Sequence, residues 1–588
     1  MISVLARIAC ALLLMASLSA QQPAQSQQQP SQQSPLPRQL PVQPQLTASS
    51  TPVPQGYRIA GTVVNALTGQ PVPSASVAIA PITQGADRDI SKSVTTGADG
   101  RFAFVALSRG KYSLMAKARG ASLQYFEHHD PFATAIAVGP ALDTDHLVFR
   151  LQPDASIEGD ITDDNNEPIQ NAMVRLFQAS TEGGQQKTAP MNQDQTDDLG
   201  HYRIGHLAPG TYYLSVSARP WYAQNSSPHR GPGNPNPNPN PKTDPQAMQD
   251  AAALDITYPL TFYSGTTDSA SATPLQLTPG EKATADVTLH AVPSLHLQIH
   301  TASAENAVLG RMVFPRISQR IFDGYLDSVF NAPVSWVAPG VIEISGLAPG
   351  HYILEMPPST GLNDKGSVRA WYRDIDLAGD AEISASDGPS FASVSGSVFF
   401  QDVPRAPRQA SLQLTNPETG ETFRSDVNDR GEFDFRSDEV RPGRYVVALE
   451  NTGGFFLQKL SATGAKMMGR TVDIGSTGSV RISGIASRGA AQVDGTAMRE
   501  DEPFPGAMII LVPQDPANNA PLFRRDQSDS DGTFTLPNVV PGQYTVIAIA
   551  NGWDLEWANP AVLQPYLKKG ETVQVPVGGK MQVKVQVQ

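Results

Sequence analysis

Paired aromatic residues are the side chains of this 588-residue chain that best suit ligand binding. Trp553 and Trp557 lie just past the predicted strand that begins at Tyr544, and Trp221 and Tyr222 stand at the corresponding place in an earlier segment. A flat exposed ring stacks on the face of a sugar, while nearby amides and carboxylates bind its hydroxyl groups. We therefore predict a carbohydrate platform at these four residues. The alternative is that the rings pack on a domain edge or between domains.

Histidines and carboxylates form no pattern typical of catalysis. None of the ten histidines is followed three residues later by Glu, as a zinc peptidase would require, and adjacent His128 and His129 would point to opposite faces of a strand. The sequence also lacks a nucleophile elbow, a phosphate-binding loop and a dinucleotide fingerprint. We predict no catalytic residue, no cofactor and no metal site.

Two Asp-rich segments, 194–198 and 526–532, invite comparison with calcium loops. The second places Asn538 where a twelve-residue loop would end in a carboxylate, and strands flank it in the prediction. Asp before Gly is also a common hairpin turn. A turn is the preferred interpretation, and calcium bound by loops between domains remains the alternative.

The N-terminus predicts export. A basic start at Arg7, an apolar run and small residues near Ala20 are typical of a signal peptide over 1–20, and the apolar run is too short to span a membrane. Its removal takes away Cys10, which is the only cysteine, and leaves 42 basic and 56 acidic residues, a net charge of −14. Such a charge disfavours nucleic acid and anionic membranes as partners. We predict a secreted, periplasmic or outer-surface protein with no membrane span after cleavage.

Two low-complexity stretches separate the folded parts. Residues 21–56 are mostly Gln, Pro and Ser, and residues 226–245 include an alternating Asn-Pro run. Neither stretch can bury enough apolar surface to offset chain entropy, so both are predicted to be disordered.

A repeated motif indicates the strands and turns that would position these residues. Leu or Val, two residues, Gly, one residue and Tyr recur five times at intervals near 100 residues, which predicts a turn followed by a half-buried strand. The glycine and tyrosine pairs are Gly110 and Tyr112, Gly210 and Tyr212, Gly350 and Tyr352, Gly443 and Tyr445, and Gly542 and Tyr544.

Two further signals recur before each of these motifs. A turn glycine and then an aromatic residue, as in Asp99-Gly100-Arg-Phe102, predicts a hairpin in four segments, and the third has Pro339-Gly340-Val-Ile342 at that place. A short strand with a central glycine, as in Ile59-Ala-Gly61-Thr-Val63, opens each segment except the third, which has Leu295–Ile299 without glycine. Such fixed offsets predict the same strand register in every segment.

Together these motifs resemble the carboxypeptidase regulatory-like domain, most closely in the first, second and fifth segments. The resemblance implies an all-β chain of about five tandem transthyretin-like (prealbumin-like, Ig-like) sandwiches, a fold also grouped with starch-binding-like domains. It implies accessory modules whose motif residues shape the fold and carry no chemistry. The expected sandwiches span 57–152, 153–290, 291–389, 390–487 and 488–588.

The predicted function is that of an exported, non-catalytic binding or structural protein of the cell envelope, with carbohydrate as the expected ligand. The first alternative is an array that contacts other envelope proteins or acts as a spacer, for instance by strand addition at a sandwich edge. The second is an accessory region associated with carboxypeptidase-type activity.

Overall fold

The computed structural model describes residues 56–82, 91–129, 131–223, 253–301, 314–322, 324–338, 340–357, 370–385, 389–436, 439–475 and 479–588. All of them belong to one compact unit, Pro54–Gln588. The predicted signal peptide (1–20), the predicted linker (21–56) up to residue 55, and the predicted insertion (226–245) lie outside the described residues.

Five pairs of β-sheets follow one another along the chain, so the predicted all-β repeated-sandwich fold is confirmed. We number the sandwiches 1 to 5; the exact domain limits stay predictions. Sandwich 1 contains β1 (Tyr57–Asn65), β2 (Ser76–Pro81), β3 (Lys92–Thr95), β4 (Arg101–Leu107), β5 (Gly110–Ala118), β6 (Ala121–Tyr125), β7 (His128–His129), β8 (Phe132–Ala133), β9 (Ile136–Val138) and β10 (Leu147–Leu151). Sandwich 2 contains β11 (Ala155–Asp163), β12 (Met173–Glu182), β13 (Gln185–Gln195), β14 (His201–Leu207), β15 (Gly210–Ser217), β16 (Ile256–Thr257), β17 (Thr261–Phe262), β18 (Leu275–Leu277), β19 (Lys282–Thr284) and β20 (Val287–Leu289).

The remaining sandwiches repeat this plan. Sandwich 3 contains β21 (Val292–Pro293), β22 (Leu295–His300), β23 (Arg316–Ile321), β24 (Tyr325–Ser328), β25 (Val334–Ala338), β26 (Val341–Leu347), β27 (Gly350–Met356), β28 (Trp371–Leu377) and β29 (Ala381–Ser384). Sandwich 4 contains β30 (Ser393–Phe400), β31 (Ser411–Thr415), β32 (Thr422–Asp426), β33 (Glu432–Asp434), β34 (Gly443–Glu450), β35 (Phe456–Thr463), β36 (Lys466–Met468), β37 (Thr471–Ile474) and β38 (Ser479–Ser487). Sandwich 5 contains β39 (Ala491–Arg499), β40 (Glu502–Pro503), β41 (Met508–Pro513), β42 (Arg524–Gln527), β43 (Thr533–Val539), β44 (Gly542–Ile549), the helix α1 (Pro560–Leu567), β45 (Glu571–Val575) and β46 (Lys580–Gln586).

One strand pairing recurs in every sandwich. The opening strand runs antiparallel to the strand after the hairpin and parallel to a late strand of the same sandwich, as β1 does with β4 and β10, and β39 with β43 and β46. The parallel pairs of the other three are β11 with β19 and β20, β22 with β29, and β30 with β38. Each sandwich buries its own apolar core between its two sheets.

The opening glycine allows a close approach to the parallel partner strand. A Cβ added to Gly61 would lie 2.1 Å from the Leu147 carbonyl oxygen, and one added to Gly396 would lie 1.8 Å from that of Ile482. The residue opposite the glycine on the hairpin strand is aromatic in four sandwiches, and the third has Ile opposite Ile instead. These pairs are Gly61 and Phe102, Gly159 and Tyr202, Ile299 and Ile342, Gly396 and Phe433, and Gly495 and Phe534.

The tyrosine of the repeated motif makes the same hydrogen bond in all five sandwiches. Its hydroxyl donates to the backbone carbonyl four residues earlier, which ties the start of the strand to the preceding turn. The five bonds are Tyr112 to Ser108 (3.1 Å), Tyr212 to Ala208 (2.7 Å), Tyr352 to Ala348 (2.7 Å), Tyr445 to Arg441 (2.8 Å) and Tyr544 to Val540 (2.8 Å). Burial raises the pKa of Tyr212 and Tyr352 to about 12.

Each motif glycine is the first residue of a strand. Gly110, Gly210 and Gly542 have φ of 157°, 157° and 159°, close to an extended backbone, and Gly350 and Gly443 do not have a positive φ. The left-handed conformation, which favours glycine, is found at the upstream hairpin glycines. Their φ values are 70° at Gly100, 77° at Gly200, 78° at Gly340, 84° at Gly431 and 73° at Gly532.

The five sandwiches form a closed arrangement, because consecutive sandwiches contact each other and the fifth contacts the first. One polar contact per junction illustrates the order: Ser122 with Asp154 (1 to 2), Arg175 with Asp327 (2 to 3), Arg441 with Glu355 (3 to 4), Arg470 with Asn518 (4 to 5), and Asp529 with Ala135 (5 to 1). The tip of the β12–β13 hairpin also reaches sandwich 5, where the Gly184 carbonyl accepts a hydrogen bond of 3.0 Å from the Ala558 N–H.

Candidate functional site

The contact between sandwiches 1 and 5, here called the 1–5 interface, contains Trp553, one of the two predicted platform residues of sandwich 5. It is formed by residues 111, 127–129 and 132–137 of sandwich 1 and by residues 525–533 and 553 of sandwich 5.

A turn of sandwich 5 extends the free edge of β9. The turn between β42 and β43 carries Asp529 and Ser530. The Asp529 carboxylate accepts a hydrogen bond of 3.0 Å from the Ala135 N–H, and the Ser530 N–H donates to the Ala135 carbonyl at 3.0 Å. The Ala137 N–H donates to the Ser530 hydroxyl at 2.8 Å. The turn therefore provides partners for backbone groups that an edge strand would otherwise expose.

Lys111 places a charge against this turn. Its ammonium forms an ion pair with Asp529 and donates to the Thr533 hydroxyl at 2.7 Å. The Asp529 side chain is 14% exposed. Burial raises the pKa of Asp529, and the Lys111 ammonium opposes this rise. The pair is thus largely withdrawn from solvent, where losing one partner costs more than at an open surface.

Gln527 is a fully buried polar residue of the 1–5 interface, with 1% exposure. Its amide nitrogen donates to the Glu127 carbonyl and to the Thr134 hydroxyl, both at 2.7 Å. Its amide oxygen lies 3.1 Å from Nδ1 of His129. A buried amide with partners in the neighbouring sandwich fixes the relative position of the two surfaces.

Trp553 stacks on His129 across the same interface. The two rings are nearly parallel, with centroids 4.6 Å apart and an interplanar angle of 7°, and Phe132 lies at 6.0 Å. One face of the Trp553 ring is therefore in contact with sandwich 1.

Trp557 packs within sandwich 5. Its ring meets Phe523 edge-on at 5.6 Å, and the Arg525 guanidinium lies 4.3 Å from its centroid. Burial lowers the pKa of Arg525 to about 10. The Trp557 Nε1 is buried and has no hydrogen-bond partner among the described residues.

The second predicted pair is placed differently. Trp221 is 90% exposed, and the ring of half-buried Tyr222 lies edge-on to it at 5.5 Å and 84°. Within the described part of the chain, no ring contact joins this pair to Trp553 or Trp557, so the structure does not bring the four residues together.

The Asp-rich segments supply hydrogen-bond acceptors. The Asp526 carboxylate accepts N–H groups of Thr535 (2.7 Å) and Gln527 (2.9 Å), and that of Asp197 accepts the N–H groups of Leu199 and His201. Burial raises the pKa of Asp526 to about 7, against the lowering effect of the Thr535 N–H. Over the described residues, no cluster of three or more His, Cys, Asp and Glu side chains could hold a metal ion.

The sequence does not indicate which residues form the 1–5 interface, among them Lys111, Gln527 and Asp529. Lys111 and Asp529 are 418 positions apart, and no local pattern signals a long-range contact. The acidic run at 526–531 is visible in the sequence, but it equally fits an isolated hairpin turn.

A scan of family models matches the carboxypeptidase regulatory-like domain at residues 58–145 and 156–234. No curated protein matches the sequence. In the described part of the chain, no helix is both long and apolar enough to cross a membrane.

Solved structures with similarity include GBS52, the minor pilin of Streptococcus agalactiae, at 13% identity and TM-score 0.21, covering 40% of this chain and 97% of that one. The Bacillus anthracis TIE protein has 12% identity and TM-score 0.15, covering 88% of this chain and 68% of that one. The shaft pilin SpaA of Lactobacillus rhamnosus GG has 8% identity and TM-score 0.17, covering 40% and 97%. The chain is an array of β-sandwiches, and the family model for the carboxypeptidase regulatory-like domain matches the first two of them.

Proposed function

We propose that this chain is an exported, non-catalytic structural protein of the cell envelope, in which five sandwiches form one closed scaffold. The observation that carries the proposal is the 1–5 interface. There the Asp529 carboxylate and the hydroxyl and backbone N–H of Ser530 form hydrogen bonds with the backbone of sandwich 1. The role of the motif tyrosines supports it, since their hydroxyl groups are engaged in the fold.

A spacer would have a different design. Sandwiches that act as independent beads need few specific contacts beyond their neighbours in sequence. Here the first and last sandwiches share a buried amide, an ion pair and a stacked ring pair. In a closed scaffold the sandwiches keep fixed relative positions, whereas the end-to-end distance of a flexible spacer varies.

Cross-linking tests this closure directly. In a Cys10→Ser background, the substitutions Ala137→Cys and Ser530→Cys place one thiol in sandwich 1 and one in sandwich 5. The two residues are joined by the hydrogen bond from the Ala137 N–H to the Ser530 hydroxyl. We expect oxidation to give a faster-migrating monomer on a non-reducing gel. The matched control pairs Ala137→Cys with Asp198→Cys, from the equivalent turn of sandwich 2. An equal yield of cross-link in both, or none in either, contradicts the closed scaffold.

Carbohydrate binding is the second candidate, and the exposure of Trp221 favours it. A ring that is 90% exposed beside an edge-on Tyr222 leaves a face open for stacking on a sugar. We expect retardation in affinity electrophoresis on a soluble glycan to be lost in Trp221→Ala and kept in Trp553→Ala. Unretarded migration of the wild type on every glycan offered removes this candidate.

A further inference from the structure

A cleft between sandwiches 4 and 5, of about 620 Å³, brings two arginines together. Arg470 lies in the turn between β36 and β37, and Arg524 begins β42. The Arg470 N–H donates to the Asn518 carbonyl at 2.9 Å, so the turn is docked on sandwich 5. Gly469 makes this approach possible, because its φ is 56° and an added Cβ would lie 2.8 Å from the Asn518 oxygen.

Both side chains are half-buried without a carboxylate partner. In the described part of the chain, neither guanidinium forms a salt bridge, whereas Arg441 pairs with two glutamates. Burial lowers the pKa of Arg470 and of Arg524, and the Arg524 charge lowers that of Arg470 further. Two cations that repel each other in a partly desolvated cleft are a costly arrangement unless an anion joins them.

The two guanidinium groups differ in their free donors. Arg524 uses its nitrogens on backbone carbonyls of Asn538 (2.9 and 3.2 Å), Pro521 (2.9 Å) and Phe523 (2.7 Å). Arg470 donates to the Leu457 carbonyl through one Nη atom. A guanidinium has five N–H groups, so Arg470 retains a planar set of donors that suits a two-oxygen acceptor.

Two further arginines lie near the cleft, although the whole chain has a net charge of −13. The Arg488 guanidinium lies 4.6 Å from the ring centroid of Phe455, which lines the cleft. Arg444 donates to the Asn518 side chain at 3.1 Å. Glu450 is the one carboxylate among the described lining residues.

We propose that this cleft is an oxyanion-binding site, in which Arg470 holds the anion through two N–H groups and Arg524 contributes charge. The ligand chemistry is a planar or tetrahedral oxyanion, such as a carboxylate or a phosphate group. The site goes beyond the scaffold role and does not depend on the 1–5 interface, which uses other residues.

Calorimetry with two probes tests the site and distinguishes a phosphate ligand from a carboxylate ligand. Sodium phosphate and sodium galacturonate are titrated into the wild type at fixed ionic strength, with chloride as the background anion. We expect at least one of them to bind, and we expect Arg470→Gln to weaken that binding at least tenfold. Arg405→Gln is the matched control, since it removes an exposed arginine of the same sandwich.

Each outcome decides the proposal. Binding of phosphate alone assigns a phosphate group, and binding of galacturonate alone assigns a carboxylate. Absence of binding for both probes, or an equal loss in Arg470→Gln and Arg405→Gln, overturns the site. Arg470→Lys provides a second test in case the Gln variant is unfolded: it keeps the charge but loses the planar fork, and wild-type affinity in this variant also contradicts the proposal.

Discussion

Asp529 and Asp197 occupy the same position in equivalent turns, three residues before the hairpin glycine, but their carboxylates have different partners. Asp197 accepts N–H groups of its own turn, from Leu199 and His201, whereas Asp529 accepts from Ala135 and pairs with Lys111 of sandwich 1. A residue that normally stabilises one hairpin thus joins two distant parts of the chain.

The charge of Asp529 is expected to stabilise the 1–5 interface. Sandwich 4 has Asn428 at this position, so Asp529→Asn preserves the turn while removing the ion pair. We expect the free energy of unfolding of sandwich 5 to fall by about 1–3 kcal/mol, because Lys111 is left without its partner. Urea denaturation measures it. Asp197→Asn is the control, and a loss as large in that variant would contradict the assignment.

Stability should depend on pH through Asp526. Burial raises its pKa from the ordinary value of 3.8 to about 7, so the folded chain holds a proton that the unfolded chain has released between these limits. The stability from this group is complete below about pH 4 and is lost as pH rises through 7. We expect a fall of about 2–3 kcal/mol between pH 5 and pH 8, about 1.4 kcal/mol for each pH unit below 7.

The comparison with Asp526→Asn isolates this effect, since the two chains share every other titratable group. The variant should show a smaller loss of stability between pH 5 and pH 8 in thermal or urea unfolding. Identical slopes in the two chains would show that Asp526 does not titrate as expected.

The hydroxyl of a motif tyrosine should contribute separately from its ring. Tyr212→Phe removes the bond to the Ala208 carbonyl and is expected to cost about 1 kcal/mol. Tyr212→Ala also empties a fully buried site and should cost about 3–5 kcal/mol. Tyr213→Phe, on the next residue, serves as the control in chemical denaturation. A Tyr212→Phe variant as stable as the wild type would remove the role assigned to the hydroxyl.

The opening glycine of sandwich 4 should not tolerate a side chain. Gly396→Ala would place Cβ 1.8 Å from the Ile482 oxygen and 2.7 Å from Cζ of Phe433, so the parallel strands must separate. We expect a loss of about 3 kcal/mol or more, typical of severe overpacking. Gly475→Ala in the same sandwich meets no atom within 4 Å and should be nearly neutral. Equal melting temperatures for the two variants would contradict this account.

The repeated fold could be predicted because its signals are local. The glycine opposite an aromatic residue, the left-handed hairpin glycine and the tyrosine recur at fixed offsets, and each is explained by contacts within one sandwich. The third sandwich departs from the pattern at both residues of one pair, where Ile299 faces Ile342. The glycine and the aromatic residue of the other sandwiches are therefore replaced together, because the two residues face each other across one strand pair.

The contacts between sandwiches could not be predicted for the same reason. The partners of Gln527 lie about 400 positions earlier in the chain, and its own neighbours in sequence give no sign of them. Similarly, the sequence places Trp553 and Trp221 in equivalent loops, yet one stacks on His129 and the other is exposed. Loop position alone does not determine whether an aromatic ring meets protein or solvent.

The parallel pairing of β1 with β10 determines how sandwich 1 responds to tension. Pulling the start of β1 and the end of β10 apart slides the two strands along each other, so their interstrand hydrogen bonds are loaded together in shear. An antiparallel terminal pair would instead open one bond at a time. Because β39 and β46 have the same relationship, the first and last sandwiches both resist stretching along their strands.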